Sequence, residues 1–186
     1  MSGPVRPPQR LVDVTRQPGM ALPVSAAELR RVIDRALDAA GAPISSRVGL
    51  ILSDDVELAT LNATYMGKEG PTDVLSFPLL PPSAFPPHPG QDPALRGRGQ
   101  GDAFVLPPRQ RIHLGEMIVS LERAVAQAAA GRGGQTGDVR WSAADELRLL
   151  ATHGALHLCG WDHADPVEEA AMRALERELL AVATTG

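Results

Sequence analysis

Three of the five histidines in this 186-residue chain lie within eleven residues, His153-Gly-Ala-Leu-His157-Leu-Cys-Gly-Trp-Asp-His163. A neutral imidazole is a common metal ligand, so the first question is whether the three can meet. Ser142 and Asp145 form a helix-start signal, and Leu147, Leu150, Ala151 and Leu158 carry apolar periodicity behind it, which predicts a helix. On that helix His153 and His157 stand four residues apart, on one face and one turn from each other. Gly160 can adopt the left-handed conformation that ends a helix, and the turn it permits brings His163 back beside the pair. Three imidazoles on one zinc leave the fourth tetrahedral position for water, the pattern of a catalytic site. The bland alternative is two histidines on a helix surface and an unrelated third; the glycine and the third spacing weigh against it. Cys159 is a rival ligand by type, but two residues beyond His157 it turns away from the histidine face and reads as core.

The spacing is that of the metzincin peptidases, which carry a glutamate general base directly after the first histidine. Here that position is Gly154, which can abstract no proton and leaves room beside the metal. Peptide hydrolysis is therefore disfavoured while the metal geometry is kept. Zinc lowers the pKa of bound water from about 15.7 toward roughly 7, so hydrolysis at neutral pH is within its reach. A phosphodiester would also need positive charge facing the developing oxyanion, and Lys68 and an arginine-rich loop are the evident suppliers. Asp162, next to a ligand candidate, either orients a histidine or simply ends the helix. Thr72 and Ser76 flank an apolar strand and are candidates for substrate contact or for capping, and Asp73 is a turn residue by type.

The elements that must position these residues follow from periodicity. Leu11–Val14 reads as a short strand. Ser25 and Glu28 form a capping box before an amphipathic helix through Leu29, Val32, Ile33, Ala36, Leu37 and Ala40, closed at Gly41. Val48–Leu52 is a strand apolar enough to be buried on both faces. Asp54 and Glu57 open a short helix, Val74–Phe77 is a strand, and Ile112–Val119 is another, followed by a helix capped by Ser120. Asp165-Pro166 opens a last helix with Val167, Met172, Leu175 and Leu179 on its apolar face. The order predicts an α+β fold: one small mixed sheet of about four strands covered by about five helices, with a zincin-like three-histidine helix. Residues 1–9 are expected to be disordered and residues 10–186 to form a single metal-dependent hydrolase domain, with Pro/Gly-rich insertions near 80–111 and 131–140. The first insertion has no apolar period and is expected to be a loop without packing of its own.

A net charge of −4 argues against a strong non-specific grip on nucleic acid. Lys68 is the only lysine beside seventeen arginines, a bias that composition explains better than phosphate binding. No apolar run is long enough to span a membrane, and the first residues lack the apolar stretch of a secretory signal. With a single cysteine, which suits a reducing compartment, the expectation is a cytoplasmic protein.

Three blocks resemble the YbeY family of bacterial endoribonucleases. His153 to His163 follows the family's His-Gly-x-Leu-His-Leu-x-Gly-x-Asp-His, and Pro71-Thr-Asp-Val-Leu-Ser-Phe-Pro78 follows its second signature, with Leu61-Asn62 and Tyr65 ahead of it. Leu114-Gly-Glu-Met-Ile-Val-Ser120 is similar to its third. The likeness runs from about residue 45 to about residue 180. It departs from the pattern at Met66, where the family often has arginine, and at Glu116, where aspartate is usual. The resemblance implies one zinc per chain on His153, His157 and His163, and single-strand endoribonuclease activity. It also implies maturation of the 3′ end of small-subunit ribosomal RNA, with ribosomal RNA and the small subunit as partners, and neither DNA nor membrane. Two other functions stay open on the residues alone: a metal-dependent hydrolase of another substrate, and a ribosome-biogenesis binding protein with a structural zinc.

Overall fold

The computed structural model describes residues 10–96, 110–130 and 141–183. The expectations for residues 1–9 and 131–140 lie outside them. Four strands, β1 (Leu11–Arg16), β2 (Ser46–Ser53), β3 (Val74–Pro78) and β4 (Ile112–Ser120), form one sheet in the order β1-β2-β4-β3. β1 and β4 flank β2 in parallel, and β3 joins the edge antiparallel to β4, so the sheet is mixed as expected. Five α-helices are present among the described residues: α1 (Ala26–Ala39), α2 (Asp55–Leu61), α3 (Leu121–Ala129), α4 (Ala143–Leu158) and α5 (Pro166–Ala183).

Alternation along the strands divides the apolar residues between two cores. Val48, Leu50 and Leu52 of β2 join Met117 and Val119 of β4 beneath α1 and α4 in the main core. Ile51 and Ile118 point the other way, toward Leu58 of α2 and Leu75 of β3. β2 is thus covered on both faces, as its continuous apolar run requires. α4 lies in the middle of the helical layer, with Leu147, Leu150, Ala151, Ala155, Leu156 and Leu158 all buried. A helix apolar on most of its circumference belongs inside, and this one carries the histidines.

Helix starts are set by side chains that satisfy orphan amides. Ser142 and Asp145 complete a reciprocal capping box at α4. At α1 only half of the expected box forms: Ser25 accepts from the Glu28 amide, while the Glu28 carboxylate meets Arg148 of α4 at 2.7 Å. A charged tertiary partner outcompetes the local amide there, tying α1 to the metal helix.

The stretch after β3 differs from its expectation. Residues 80–96 fold into two single 3₁₀ turns, Pro82–Ala84 and Pro93–Leu95, and drive Phe85 into the main core at 5% exposure. His88 and Gln91 are buried with it. A single large anchor gives no periodicity, so a sequence pattern cannot distinguish this packed segment from free loop.

Candidate metal centre

His153 and His157 project from α4 near its end, and His163 follows in the turn between α4 and α5. The helix stops because Gly160, at φ 83°, takes the left-handed conformation that residues with a Cβ avoid. The turn folds back as expected: one nitrogen from each of the three imidazoles lies within 4.8 Å of the others. His153 Nε2 and His157 Nε2 are 2.9 Å apart, and the His163 ring centre is 5.6 Å from that of His153 and 5.1 Å from that of His157.

The remaining ring nitrogens explain why the cluster suits a cation. Glu176 Oε1 of α5 lies 2.7 Å from His153 Nδ1, which donates to it, leaving Nε2 as the ring nitrogen that faces the cluster. His157 makes a hydrogen bond with the Trp161 backbone and sits where burial, then the neighbouring His153 and His163, push its pKa down to about 4. Burial and the two neighbouring rings outweigh the Trp161 bond, which acts the other way, and keep it a neutral imidazole at physiological pH, the metal-binding form. Lone pairs converging at this distance repel unless a positive ion stands among them. The donor set therefore fits a metal ion of the kind that imidazole ligates. Cys159 takes no part: it is wholly buried, and burial raises its thiol to about 12, as a core residue requires.

The histidines line a cleft of about 1130 Å³ whose walls include every candidate named from the sequence: Lys68, Thr72, Ser76 and Asp162. Their hydrogen bonds differ. Lys68 is exposed, and its ammonium meets no partner among the described residues. It sits just beyond the π-helical turn Asn62–Met66, with its amide on the Asn62 carbonyl, while the buried Asn62 side chain donates to Gly70 O at 2.8 Å. Asn62 thus holds the loop that presents Met66 and Lys68. Ser76 Oγ donates to Gly154 O at 3.2 Å, joining β3 to the metal helix. Thr72 donates to Asp73 Oδ1 at 3.2 Å. Asp162 Oδ1 accepts the His163 amide at 2.7 Å, which shapes the turn.

Gly154 proves to be a packing residue. It is buried, and a Cβ there would lie 2.9 Å from Met117 Sδ and 3.3 Å from Ser76 Oγ. The glycine lets α4 approach the sheet closely, so no spare volume is held open beside the histidines.

Sequence reasoning missed Glu176, 3% exposed, and Glu146, 2% exposed, which accepts from Trp141 Nε1 at 2.7 Å on the cleft wall. A signal for the first existed. Glu168, Met172 and Glu176 recur at four-residue steps, which places two carboxylates inside the apolar stripe of α5.

A mixed sheet whose central helix and following turn gather three imidazoles at the wall of an open cleft has the metal-capable site that a metal-dependent hydrolase requires. The comparisons with known proteins agree and go further. A model of the endoribonuclease YbeY family matches residues 19–184. The chain is 39% identical over 155 residues to the Endoribonuclease YbeY of Symbiobacterium thermophilum, covering 82% of this chain and 83% of that protein. It is 35% identical over 173 residues to that of a Roseiflexus species, covering 92% of each. The chain belongs to the endoribonuclease YbeY family. The solution structure of a Thermotoga maritima protein shares the fold, with a TM-score of 0.52 at 18% identity over 93% of this chain and 89% of that one. No helix among the described residues is long and apolar enough to cross a membrane.

Proposed function

We propose that this chain hydrolyses single-stranded RNA with one zinc held by His153, His157 and His163, and that it matures the 3′ end of small-subunit ribosomal RNA beside the ribosome in the cytoplasm. The observation that carries the reading is the convergence of three neutral-capable imidazoles in a cleft that also presents the Lys68 ammonium, which meets no partner among the described residues. Family membership supports RNA as the substrate. When bound, zinc supplies Lewis acidity and lowers the pKa of water.

The chain's own residues have separable tasks. Glu176 fixes the His153 ring so that Nε2 faces the cluster. Lys68 offers its charge to a phosphate in the cleft, and the exposed side chains of Met66 and Leu95 offer apolar surface to bases. Thr72 and Ser76 line the wall opposite α4, with Ser76 bracing that helix. Asp162 keeps the His163 turn closed through the amide it accepts. A purely structural zinc would want a fourth protein ligand, and the metal-capable group among the described residues has three members.

The test is metal-quantified protein incubated with single-stranded RNA, structured RNA and casein. Cleavage of single-stranded RNA alone, abolished in His163→Ala, is the expected result. Equal rates for wild type and His163→Ala refute the nuclease reading. Full zinc occupancy in the double variant His153→Ala, His157→Ala refutes the ligand set.

A further inference from the structure

Two of the three metal-site histidines are fixed by helix α4 and by second partners, Glu176 and the Trp161 backbone. His163 is not on a helix. Its side chain is exposed, and its hydrogen bond among the described residues runs through its backbone amide. Its position therefore depends on whatever holds the turn between α4 and α5.

That turn is gripped by the segment after β3. Glu168 Oε1, at the start of α5, accepts the Asp162 amide at 2.8 Å and also meets His88 Nε2 at 2.6 Å. The two side chains are almost fully buried, at 5% and 7% exposure. The His88 ring lies flat on Trp161, with centroids 4.1 Å apart and planes 10° apart. Among the described residues His88 Nδ1 is buried without a partner, and Nε2 is the ring's one polar attachment. Backbones close in at both ends of the turn. A Cβ on Gly160 would lie 2.7 Å from Pro82 Cα, and one on Gly90, itself at φ 80°, would lie 2.2 Å from the Glu168 nitrogen.

We propose that His88 is a positioning residue for the metal site, latching the turn through Glu168 and Asp162 so that His163 stands at the other two imidazoles. The inference rests on the metal reading above. Both donors meet the same oxygen, Oε1, and a carboxylate taken out of water is held there only while its hydrogen bonds offset the lost hydration. Without His88, Glu168 keeps one backbone amide and gains by turning toward solvent. That movement releases the Asp162 amide, one residue before His163. The segment 80–96 thereby acquires a role beyond covering the core.

The experiment is a titration of metal-free full-length protein with cobalt(II), reading both affinity and the visible absorption of the bound ion. His88→Phe keeps the stack on Trp161 and removes the bond to Glu168. We expect it to melt cooperatively, to bind cobalt roughly 10- to 100-fold more weakly, and to show an altered cobalt spectrum. Glu168→Gln, which keeps volume and an acceptor for Asp162, is expected to fall between it and wild type. It is read in the same way should His88→Phe fail to fold. His113→Ala, at the far end of β4, should leave affinity and spectrum alone. Cobalt uptake by wild type with unchanged affinity and spectrum in the folded latch variants overturns this proposal and leaves the metal reading standing. An equal loss in His113→Ala overturns it too. No uptake by wild type overturns the metal reading and this one with it.

Discussion

Glu176 is the carboxylate on which the metal site leans most directly, and deleting it has a calculable effect. Its Oε1 stands 2.7 Å from His153 Nδ1, and its side chain is 4% exposed. Truncating such an outer partner weakens metal binding by about 10- to 100-fold, or roughly 1.4–2.7 kcal/mol. The same change appears in stability. At free zinc about 100 times the wild-type Kd, binding stabilises the fold by about 2.7 kcal/mol. With the weakened affinity, the same zinc concentration stabilises Glu176→Ala by only about 1.4 down to 0.4 kcal/mol. For a chain of this size the difference between zinc-loaded and zinc-free melting points should shrink by roughly 3–9 °C. In the zinc-free state the loss is smaller, because the His153 ring is 25% exposed and can find water. The assay pairs chelator competition for Kd with melting curves at fixed free zinc. Glu176→Gln, which keeps an acceptor without the charge, should lie between the two. A folded Glu176→Ala with wild-type Kd and an unchanged melting gap would show that α4 alone orients His153.

Phe85→Ala should cost about 3–5 kcal/mol in urea unfolding, since the side chain is buried in the main core; a cost under about 1 kcal/mol would mean that the segment is loosely held. Cys159 should resist alkylation in native protein at pH 8 and react once denatured, because burial holds its folded pKa near 12. The unfolded thiol ionises near 8.5, so this contribution is fully present below that pH and fades as pH rises toward about 12. A Cys159→Ala variant whose stability falls as steeply as wild type above pH 9 contradicts that reasoning. Met66→Arg adds a cation on the cleft wall beside Lys68 and should tighten single-stranded RNA binding while steepening its salt dependence; an unchanged salt slope means that phosphate does not pass there. Gly154→Glu should lose melting temperature, whether or not zinc is present, because its Cβ meets Met117 at 2.9 Å; an undisturbed melt would mean that α4 can slide from the sheet.

What could be read from the sequence was what is encoded in short-range pattern. The three histidines were legible because helix periodicity and one glycine turn relate them, and neither needs a tertiary partner. The same holds for β2, whose unbroken apolar run states that both faces are covered, and for α4, which begins at a capping box lying wholly within four residues. The residues that hold the histidines in place escaped because their reasons lie across the fold. Glu176 is 23 positions from His153, and His88 is 80 from Glu168. A buried carboxylate in the stripe of α5 looks like an interruption of an apolar face until its partner is known. The Glu28 side chain shows the converse: the local capping pattern named a plausible amide, and Arg148, 120 positions away, took the carboxylate.

Gly154 marks the point where chemical analogy and packing part. Beside a peptidase motif, the glycine reads as a deleted base and an opened space. In the fold its missing side chain is what brings the metal helix within reach of Met117 and Ser76. Ser76 then bonds to the Gly154 carbonyl, so the strand bearing the second signature and the helix bearing the first are locked together at the residue following His153. A side chain there, catalytic or not, would have to displace the buried Met117 side chain or the helix itself. The absence of a glutamate is thus accounted for by how closely this sheet and helix meet.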